Sequence, residues 1–561
     1  MVIWIGLAIW ILFAAITLLG GQLHYEIPNN ERPIVLVTLL LIAASVLALV
    51  ALKIALGIRN HGRDLLVSVI LFSIAFRLVQ LFAPPFQEVD SYRYIWDGLT
   101  VVNGHNPYRY SPYQVLNGQV SNKELTELHK LALKSESYYT ILNRVHYSHV
   151  RTLYPPVSQA VFSGAMLFVP ATASVDAHLI AMKTAITLFD LGVLFLLAYL
   201  LSLLRINLFW CMAYGWNPIV IKEFSNSGHL DSIAVFFTLA AITLIVRFIQ
   251  LTNGNTKGHR GDSRGKKVST PWWTLIFSST FLAAGFASKI YPIILLPICL
   301  VAIVKSISWR SVLLYAVVFS AASSLFFWPM IQGQKFELPN QAPIENTNKE
   351  GLSTFLRHWQ MNEWAYMLVY QNLRELSPEQ KQNRPWFRVV DEATRKRILK
   401  TVESIAQPGD AAYVMSRIVT LGIFGVFYGF LLWRFLRSDH EVSMGLLSGC
   451  FWILAIFFCL QPTQNPWYWT WAVPFLPFCR NRAWLVYSTF LLVYYLRFSM
   501  VLDPGPYNVL GQQYTGTGLF DYVMVWLEHL PVFIFVAWHS IANRKKQRSF
   551  DDDKRISTRN N

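Results

Sequence analysis

Residues 64–98 read DLLVSVILFSIAFRLVQLFAPPFQEVDSYRYIWDG, an apolar run followed at once by charge. The first part, 64–83, is long enough to cross the hydrocarbon core of a bilayer as a helix. The proline pair that follows ends this helix, so Glu88, Asp90 and Asp97 are predicted to lie at a membrane surface beside aromatic side chains. Carboxylates are costly near hydrocarbon, so three of them here indicate a site for a polar or charged ligand. Simple solvation of a helix end is the alternative interpretation.

The whole chain has the composition of a membrane protein. Of its 561 residues, 54% are apolar and only 14% are charged. The pattern predicts an all-α, polytopic integral membrane bundle of about 14 transmembrane helices. The predicted spans are 2–20, 33–57, 64–83, 229–251, 273–289, 290–306, 311–330, 413–436, 444–461, 466–480, 483–502, 518–541 and two of the three apolar segments in 156–222. Within that last stretch, 206–222 is predicted not to cross.

The net charge of +16 is a topology signal, because the basic residues collect in short connections and in the C-terminal tail. The clusters lie at 59–63, 257–267, 305–310, 434–437, 480–482 and 544–546. Placing all of them in the cytoplasm satisfies the positive-inside rule. Both termini are then cytoplasmic, and the two sizeable loops 84–155 and 331–412 are external. This distribution argues against a nucleic-acid partner and makes the lipid bilayer the environment of the protein.

The predicted organisation is two additional N-terminal helices in 1–60, one membrane module in 61–541 and a basic cytoplasmic tail in 542–561. The five cysteines fall in apolar segments and form neither a disulfide framework nor a zinc-binding spacing. No P-loop or glycine-rich nucleotide fingerprint is present, which argues against direct use of a nucleotide sugar. No cofactor is assigned. The pair Glu88 and Asp90 could bind a divalent cation, and this alternative stays open.

Several motifs, in order along the chain, carry a family resemblance. They are EVDSYRYIWDG (88–98), NGHNPYRYSP (103–112), LYPPVSQAVF (153–162), WNPIVIKEFSNSGHLDSIAVFF (216–237), AAGFASKIYPIILLP (283–297), GLSTFLRHWQMNEWAY (351–366) and QNPWYWTWAVPFLP (464–477). They resemble bacterial glycosyltransferases of the GT-C superfamily, in particular the polyprenol-phosphate-mannose-dependent mannosyltransferase-like families. The similarity extends over residues 64–541.

The resemblance implies a GT-C fold in the cell membrane, most simply a bacterial inner membrane, with its active site on the extracytoplasmic face. It implies transfer of mannose or another hexose or pentose from a polyprenyl-phosphate donor to a glycan or glycolipid acceptor, by an inverting single displacement. Such a reaction needs a general base for the acceptor hydroxyl. Members of these families carry an aspartate in the first loop for this role, and Asp90 is the matching position. Glu88 or Asp97 could substitute, although Asp97 could instead pair with Arg93 one helical turn away.

The other candidate residues follow from the chemistry of the donor. A departing lipid phosphate needs cations or hydrogen-bond donors. The candidates for that role are Lys289, Arg93, His229, Arg357, His358 and Lys222. Lys289 could instead be an interfacial anchor. The candidates for substrate contact are Tyr92, Trp96, Asn106, Asp231, Trp359, Trp467 and Tyr468. Many aromatic residues of membrane proteins serve only as interface anchors.

A transporter or flippase of lipid-linked saccharides is the alternative function. Such a protein places ionisable residues near the bilayer centre, often in repeated halves. Here the charges concentrate at the external edge, and no internal repeat is visible. Asp190, inside an apolar run, is the residue that favours transport, and it could equally be a hydrogen-bonding group between helices.

Overall fold

The computed structural model describes residues 1–58, 62–117, 122–257, 272–335, 359–376, 383–406, 409–439 and 441–559. The protein is 74% helical, which confirms the prediction of an all-α membrane protein. In the described ranges, helices long and apolar enough to cross a membrane number nine, with two shorter apolar ones at Trp273–Phe286 and Tyr291–Ser306.

The α-helices follow one another along the whole chain. They are α1 (Val2–Leu18), α2 (Ile34–Gly57), α3 (Arg63–Leu81), α4 (Asp90–Val102), α5 (Pro112–Asn117), α6 (Lys123–Ala132), α7 (Glu136–Asn143), α8 (Pro156–Met166), α9 (Val175–Leu203), α10 (Met212–Gly215), α11 (Pro218–Ile221), α12 (Asp231–Lys257), α13 (Trp273–Phe286), α14 (Leu296–Ser306), α15 (Trp309–Gln334), α16 (Ala365–Leu373), α17 (Glu392–Lys400), α18 (Ala411–Arg437), α19 (Val442–Leu460), α20 (Pro466–Trp469), α21 (Tyr487–Phe490), α22 (Arg497–Met500), α23 (Gly516–Leu519) and α24 (Val525–Arg559).

Shorter elements connect them. The 3-10 helices are Leu19–Gln22, Leu208–Cys211, Tyr291–Leu295, Val473–Phe478, Arg482–Val486 and Leu491–Leu496, and π-helical turns occupy Lys222–Asn226 and Phe520–Met524. Strands β1 (Tyr507–Val509) and β2 (Gln512–Tyr514) form an antiparallel hairpin in which Tyr507 lies opposite Tyr514.

The described residues contain fewer long continuous helices than the number of spans predicted from the sequence. Segments 466–480 and 483–502 form short α-helical and 3-10 pieces instead of continuous helices. In the first of these segments Pro474 and Pro477 prevent regular α-helical hydrogen bonding, because proline has no amide hydrogen. Residues 206–222, predicted not to cross, also form no long helix.

A buried ion pair joins α3 to α9. Arg77 Nε lies 2.6 Å from Asp190 Oδ2, and the Tyr214 hydroxyl donates to Asp190 Oδ1 at 2.7 Å. Both charged side chains are 0% exposed. Asp190 therefore has the environment of a hydrogen-bonding group between helices, which is the alternative to a role in transport.

The C-terminal end of α3 is fixed by a lysine from α9. Lys183 Nζ donates to the carbonyl oxygens of Gln80, Leu81 and Ala83 at 3.2, 2.7 and 2.6 Å. Carbonyls at the end of a helix have few partners within the helix, and a cation is favoured at the negative end of the helix dipole. The contact defines where the chain leaves α3 toward the first loop.

The start of α4 is attached to the π-helical turn that precedes α12. The Asn226 side chain accepts from the Phe86 amide at 2.8 Å and donates to the Pro84 carbonyl at 3.1 Å. The Ser91 hydroxyl donates to the Ser227 carbonyl at 2.7 Å. These bonds hold the first turn of α4, which begins at Asp90, against the segment that carries His229.

The segment 359–364 is joined to the loop before α20. The Met361 amide donates to the Pro462 carbonyl at 3.1 Å, and the Gln464 amide donates to the Met361 carbonyl at 2.8 Å. A small apolar cluster, separate from the main core, packs α16 against the hairpin and α24. It contains Met367, Phe387, Tyr514 and Tyr522.

Candidate active site

A cavity of about 440 Å³ lies where α4, the segment before α12 and the segment after α13 meet. Its polar side is lined by charged and hydroxyl-bearing residues, including Asp90, Arg93, Tyr154, His229 and Lys289. Its other side is lined by aliphatic and aromatic side chains, including Ile294, Leu421, Phe424, Phe457 and Leu460. One space therefore joins a charged surface to a hydrocarbon-like one.

Asp90, the first residue of α4, presents a carboxylate to this cavity. Its Oδ2 accepts a hydrogen bond from the Tyr154 hydroxyl at 3.1 Å and a longer one from the Tyr94 hydroxyl at 3.5 Å. Burial and the negative charge of Glu88 raise the pKa of Asp90 above its usual value. A carboxylate with a raised pKa is a stronger base than an ordinary aspartate.

Glu88 and Glu223 lie behind the cavity wall and contact His229, which lines the cavity. His229 Nε2 lies 3.1 Å from Glu88 Oε2 and 3.3 Å from Glu223 Oε2. Lys222 Nζ lies 3.3 Å from Glu223, which also accepts from the Tyr495 hydroxyl. The result is a buried network in which two carboxylates face two basic groups.

The charges in this network support one another. Burial alone would raise the pKa of Glu88, but the charge and hydrogen bond of His229, aided by Lys222, lower it to about 2. Burial lowers the pKa of His229, whereas its carboxylate neighbours raise it, and the net shift is upward. The stable arrangement is therefore a Glu88 carboxylate bound to a His229 imidazolium.

Lys289 is held at the cavity wall by Asp231. Its Nζ donates to both carboxylate oxygens of Asp231 at 2.6 and 2.8 Å, and Trp471 Nε1 donates to the same carboxylate at 2.6 Å. The ammonium lies 4.4 Å from the centroid of the Tyr468 ring. Since the Lys289 side chain is 21% exposed, it faces the cavity while remaining paired.

Aromatic rings cover the polar side of the cavity. The Trp467 ring stacks on the His229 ring, with centroids 4.3 Å apart and planes at 18°. Trp359 meets Tyr147 edge-on at 4.4 Å. Flat apolar faces beside hydrogen-bonding groups are suited to a sugar ring, which has both kinds of surface.

The described residues contain no group of three histidine, cysteine, aspartate or glutamate side chains arranged to hold a metal ion. Glu88, the first member of the predicted acidic pair, is already engaged, since Oε2 faces His229 and Oε1 accepts from the amides of Val89 and Asp90. The cation alternative thus gains no support from the geometry of this pair.

Comparison with models of protein families places the chain in a known group. A model of the MptA_B family, described as alpha-(1->6)-mannopyranosyltransferase, N-terminal domain, matches residues 4–305, more than half of the chain. The chain belongs to this mannopyranosyltransferase family. A second model, the MptB C-terminal domain, matches residues 397–519. No curated protein and no solved structure gave a match. The protein is a multi-pass membrane mannosyltransferase, as its family and its apolar helices together establish.

The mannosyltransferase brings many of the predicted site residues together. Those that line the cavity are Asp90, Arg93, His229, Lys289, Trp359, Trp467 and Tyr468. Glu88 and Asp231 are direct partners of these lining residues, and Lys222 is one contact farther away, paired with Glu223. Arg357 and His358 lie outside the described residues.

Four predicted residues lie away from the cavity. Asp97 is buried and accepts from Gln159 Nε2 at 3.0 Å. Tyr92 accepts at its hydroxyl from Arg144 at 3.0 Å, and Trp96 packs in the apolar core. Asn106 donates to the Pro329 carbonyl at 2.9 Å. These contacts are those of residues that stabilise the first loop of the mannosyltransferase.

Arg93 lines the cavity, but its guanidinium is already engaged. Its Nη2 donates to the carbonyls of Tyr147 and Val150 at 3.1 and 3.0 Å. It therefore supports the loop that forms one wall of the cavity, and its charge still contributes to the local potential.

Sequence reasoning missed several members of the site. Tyr154, in the motif at 153–162, is not among the predicted site residues, yet its hydroxyl donates a hydrogen bond to Asp90. Glu223 was overlooked beside Lys222, although an acidic residue at the end of the apolar run 216–222 was a usable signal. Trp471 gave no signal of its own, because its contact with Asp231 joins distant parts of the chain.

Proposed function

We propose that this mannosyltransferase transfers mannose from a polyprenyl-phosphate donor to an extracytoplasmic glycan or glycolipid, forming an α-(1→6) linkage. The observation that carries the proposal is the single cavity that joins a charged side to an apolar side. A lipid-linked sugar phosphate has the same division between a polar head and a hydrocarbon chain. A soluble nucleotide sugar offers nothing to occupy the apolar side.

In the proposed reaction Asp90 accepts the proton of the acceptor hydroxyl as its oxygen attacks the anomeric carbon of mannose. The bond from that carbon to the phosphate oxygen breaks at the same time, and the electron pair leaves with the lipid phosphate. Lys289, held by Asp231, offsets the charge that grows on the phosphate. A single displacement inverts the anomeric centre, so an α-linked product requires a β-linked donor.

Asp90 is preferred over the other two acidic candidates for physical reasons. The carboxylate of Glu88 is tied to His229 and its pKa is about 2, which makes it a weak base. Asp97 is buried beside Gln159, away from the cavity. Burial raises the pKa of both Asp90 and Asp97, but Asp90 alone among the three lines the cavity.

We further propose that the chemistry takes place on the extracytoplasmic face of a bacterial inner membrane, with both termini in the cytoplasm. The support is the distribution of basic residues, which favours the cytoplasmic side for the short connections and the C-terminal tail.

The test compares three variants of the purified protein in nanodiscs: Asp90→Asn, Glu88→Gln and Asp97→Asn. The substrates are a mannosyl-phosphate carried on a polyprenyl chain and a mannan-type acceptor. Losing a positioned general base lowers the rate about 10²–10⁴-fold, and this is expected for Asp90→Asn. Asp97→Asn is the matched control, because asparagine can still accept from Gln159 and the position lies away from the cavity.

Two results would overturn the assignments separately. Normal turnover by the Asp90→Asn variant would remove Asp90 as the base. Efficient transfer by the wild-type protein from a soluble nucleotide mannose, without a lipid carrier, would remove the donor assignment and leave the base untouched.

A further inference from the structure

Arg417 is a cation of the cavity wall to which the proposed reaction assigns no role. It belongs to α18 (Ala411–Arg437), one of the helices that are apolar enough to cross a membrane. Arg417, Thr420, Leu421 and Phe424 all line the cavity. A guanidinium in a spanning helix is costly and is characteristically found where it faces a functional cavity.

The guanidinium of Arg417 is only partly engaged. It lies over the Tyr413 ring, 4.6 Å from the ring centroid, and donates a hydrogen bond to the Tyr413 hydroxyl. Its Nε is buried and finds no hydrogen-bond partner in the described part of the chain. By contrast, Lys289 is bound to Asp231, and Arg93 donates to two carbonyls. Arg417 nevertheless lines the cavity, and a planar guanidinium is suited to bidentate binding of a phosphate.

The residues next to Arg417 on the helix form a matching apolar strip. Positions 417, 421 and 424 are four and three residues apart, so they share one face of α18. At 1.5 Å per residue the strip extends about 10 Å from Arg417 to Phe424. Ile294, Phe457 and Leu460 face the same space from neighbouring segments. A cation followed by a hydrocarbon wall fits an amphiphile whose charged group is joined directly to an apolar chain.

We infer that Arg417 binds the phosphate of the lipid-linked donor and that the α18 strip holds the adjoining part of the carrier chain. This inference rests on the proposed function and adds to it the residue that recognises the carrier. Arg417 acts on the phosphate in both the substrate and the released lipid phosphate. Lys289, held by Asp231, lines the same cavity.

The experiment measures initial rates for Arg417→Gln and Arg417→Lys in nanodiscs, varying the polyprenyl-phosphate mannose and the acceptor separately. Loss of a charge-assisted contact raises the donor KM of Arg417→Gln about 10–100-fold and leaves the acceptor KM within about twofold. Arg417→Lys keeps the charge without the bidentate fork and gives an intermediate donor KM. Arg434→Gln, on the exposed surface in the last turn of the same helix, is the matched control and stays at the wild-type value.

A second readout separates phosphate binding from a structural role. Polyprenyl phosphate, the released product, inhibits by occupying the donor site. Its inhibition constant rises in parallel with the donor KM in Arg417→Gln, whereas inhibition by the uncharged polyprenol is unchanged. A residue that only stabilises α18 would weaken both inhibitors equally and lower the melting temperature, and this result would overturn the inference.

The outcomes distinguish this inference from the function on which it rests. A wild-type protein that uses the lipid donor, with Arg417→Gln showing unchanged donor KM and unchanged inhibition by polyprenyl phosphate, refutes the role of Arg417 alone. A wild-type protein that does not use the lipid donor refutes the proposed function itself. If Arg417→Gln does not fold, the donor KM of Arg417→Lys decides, because wild-type behaviour in that variant excludes bidentate binding.

Discussion

Replacing Lys289 by methionine tests whether the cation on the cavity wall acts on the leaving phosphate. The ammonium is bound to Asp231 at 2.6 and 2.8 Å, and its side chain is 21% exposed, so it can contact a ligand without leaving its partner. A hydrogen bond to a charged group contributes about 1.5–3 kcal/mol, so its loss from the transition state lowers kcat/KM for the donor about 10–150-fold.

The same substitution has a structural cost that must be separated from the catalytic one. Asp231 is 1% exposed and would lose its cation, and breaking a buried ion pair costs about 3–5 kcal/mol of stability. The double variant Lys289→Met with Asp231→Asn removes both charges and keeps an acceptor for the Trp471 indole. We expect the double variant to recover the melting temperature and to retain the low kcat/KM.

The assay measures initial rates in nanodiscs against donor concentration, with thermal unfolding recorded on the same preparations. Lys396→Met is the control, because this lysine is 73% exposed on a helix outside the cavity. If the double variant returned to the wild-type kcat/KM, Lys289 would serve only to neutralise Asp231. Unchanged kinetics in the single variant would exclude Lys289 from the site altogether.

Three further predictions address the base, the packing of the helices and the topology. Burial and the charge of Glu88 raise the pKa of Asp90, so Glu88→Gln lowers that pKa and moves the acidic limb of the pH–rate profile to lower pH; an unmoved limb would contradict Asp90 as the titrating base. Asp190→Asn leaves the buried Arg77 without its counter-charge and destabilises the protein by about 3–5 kcal/mol, while the double apolar replacement of both residues loses much less; equal losses in thermal unfolding would refute this account. A cysteine at Ser269, on a background without native cysteines, is expected to be protected from an impermeant reagent added outside, and labelling there would reverse the proposed orientation.

The sequence predicted the membrane character of the protein and a segment that lines the cavity, because both depend on local signals. Apolar length predicts a spanning helix, and a charged stretch directly after such a helix marks an interfacial site. This reasoning identified Asp90, which lines the cavity. It could not separate Asp90 from Asp97, because both occur in one short segment and only the folded contacts differ.

The remainder of the site depends on contacts between distant segments. His229 was recognised as a charged residue at a membrane edge, but its enclosure by Glu88 and Glu223 requires the folded chain. The backbone of 466–480 and 483–502 also differs from the prediction, since these apolar segments form short helical pieces instead of continuous helices. Hydropathy predicts whether a segment lies in an apolar environment. Prolines and tertiary packing determine whether its backbone forms one continuous helix.

The contact between Trp471 and Asp231 joins residues 240 positions apart. This separation determines when the cavity wall can form during synthesis of the chain. Asp90, which opens α4, emerges early in synthesis, whereas Trp471 is added only when most of the chain has been made. Both residues line the cavity, so the complete cavity can form only after the late segments have been synthesised and packed.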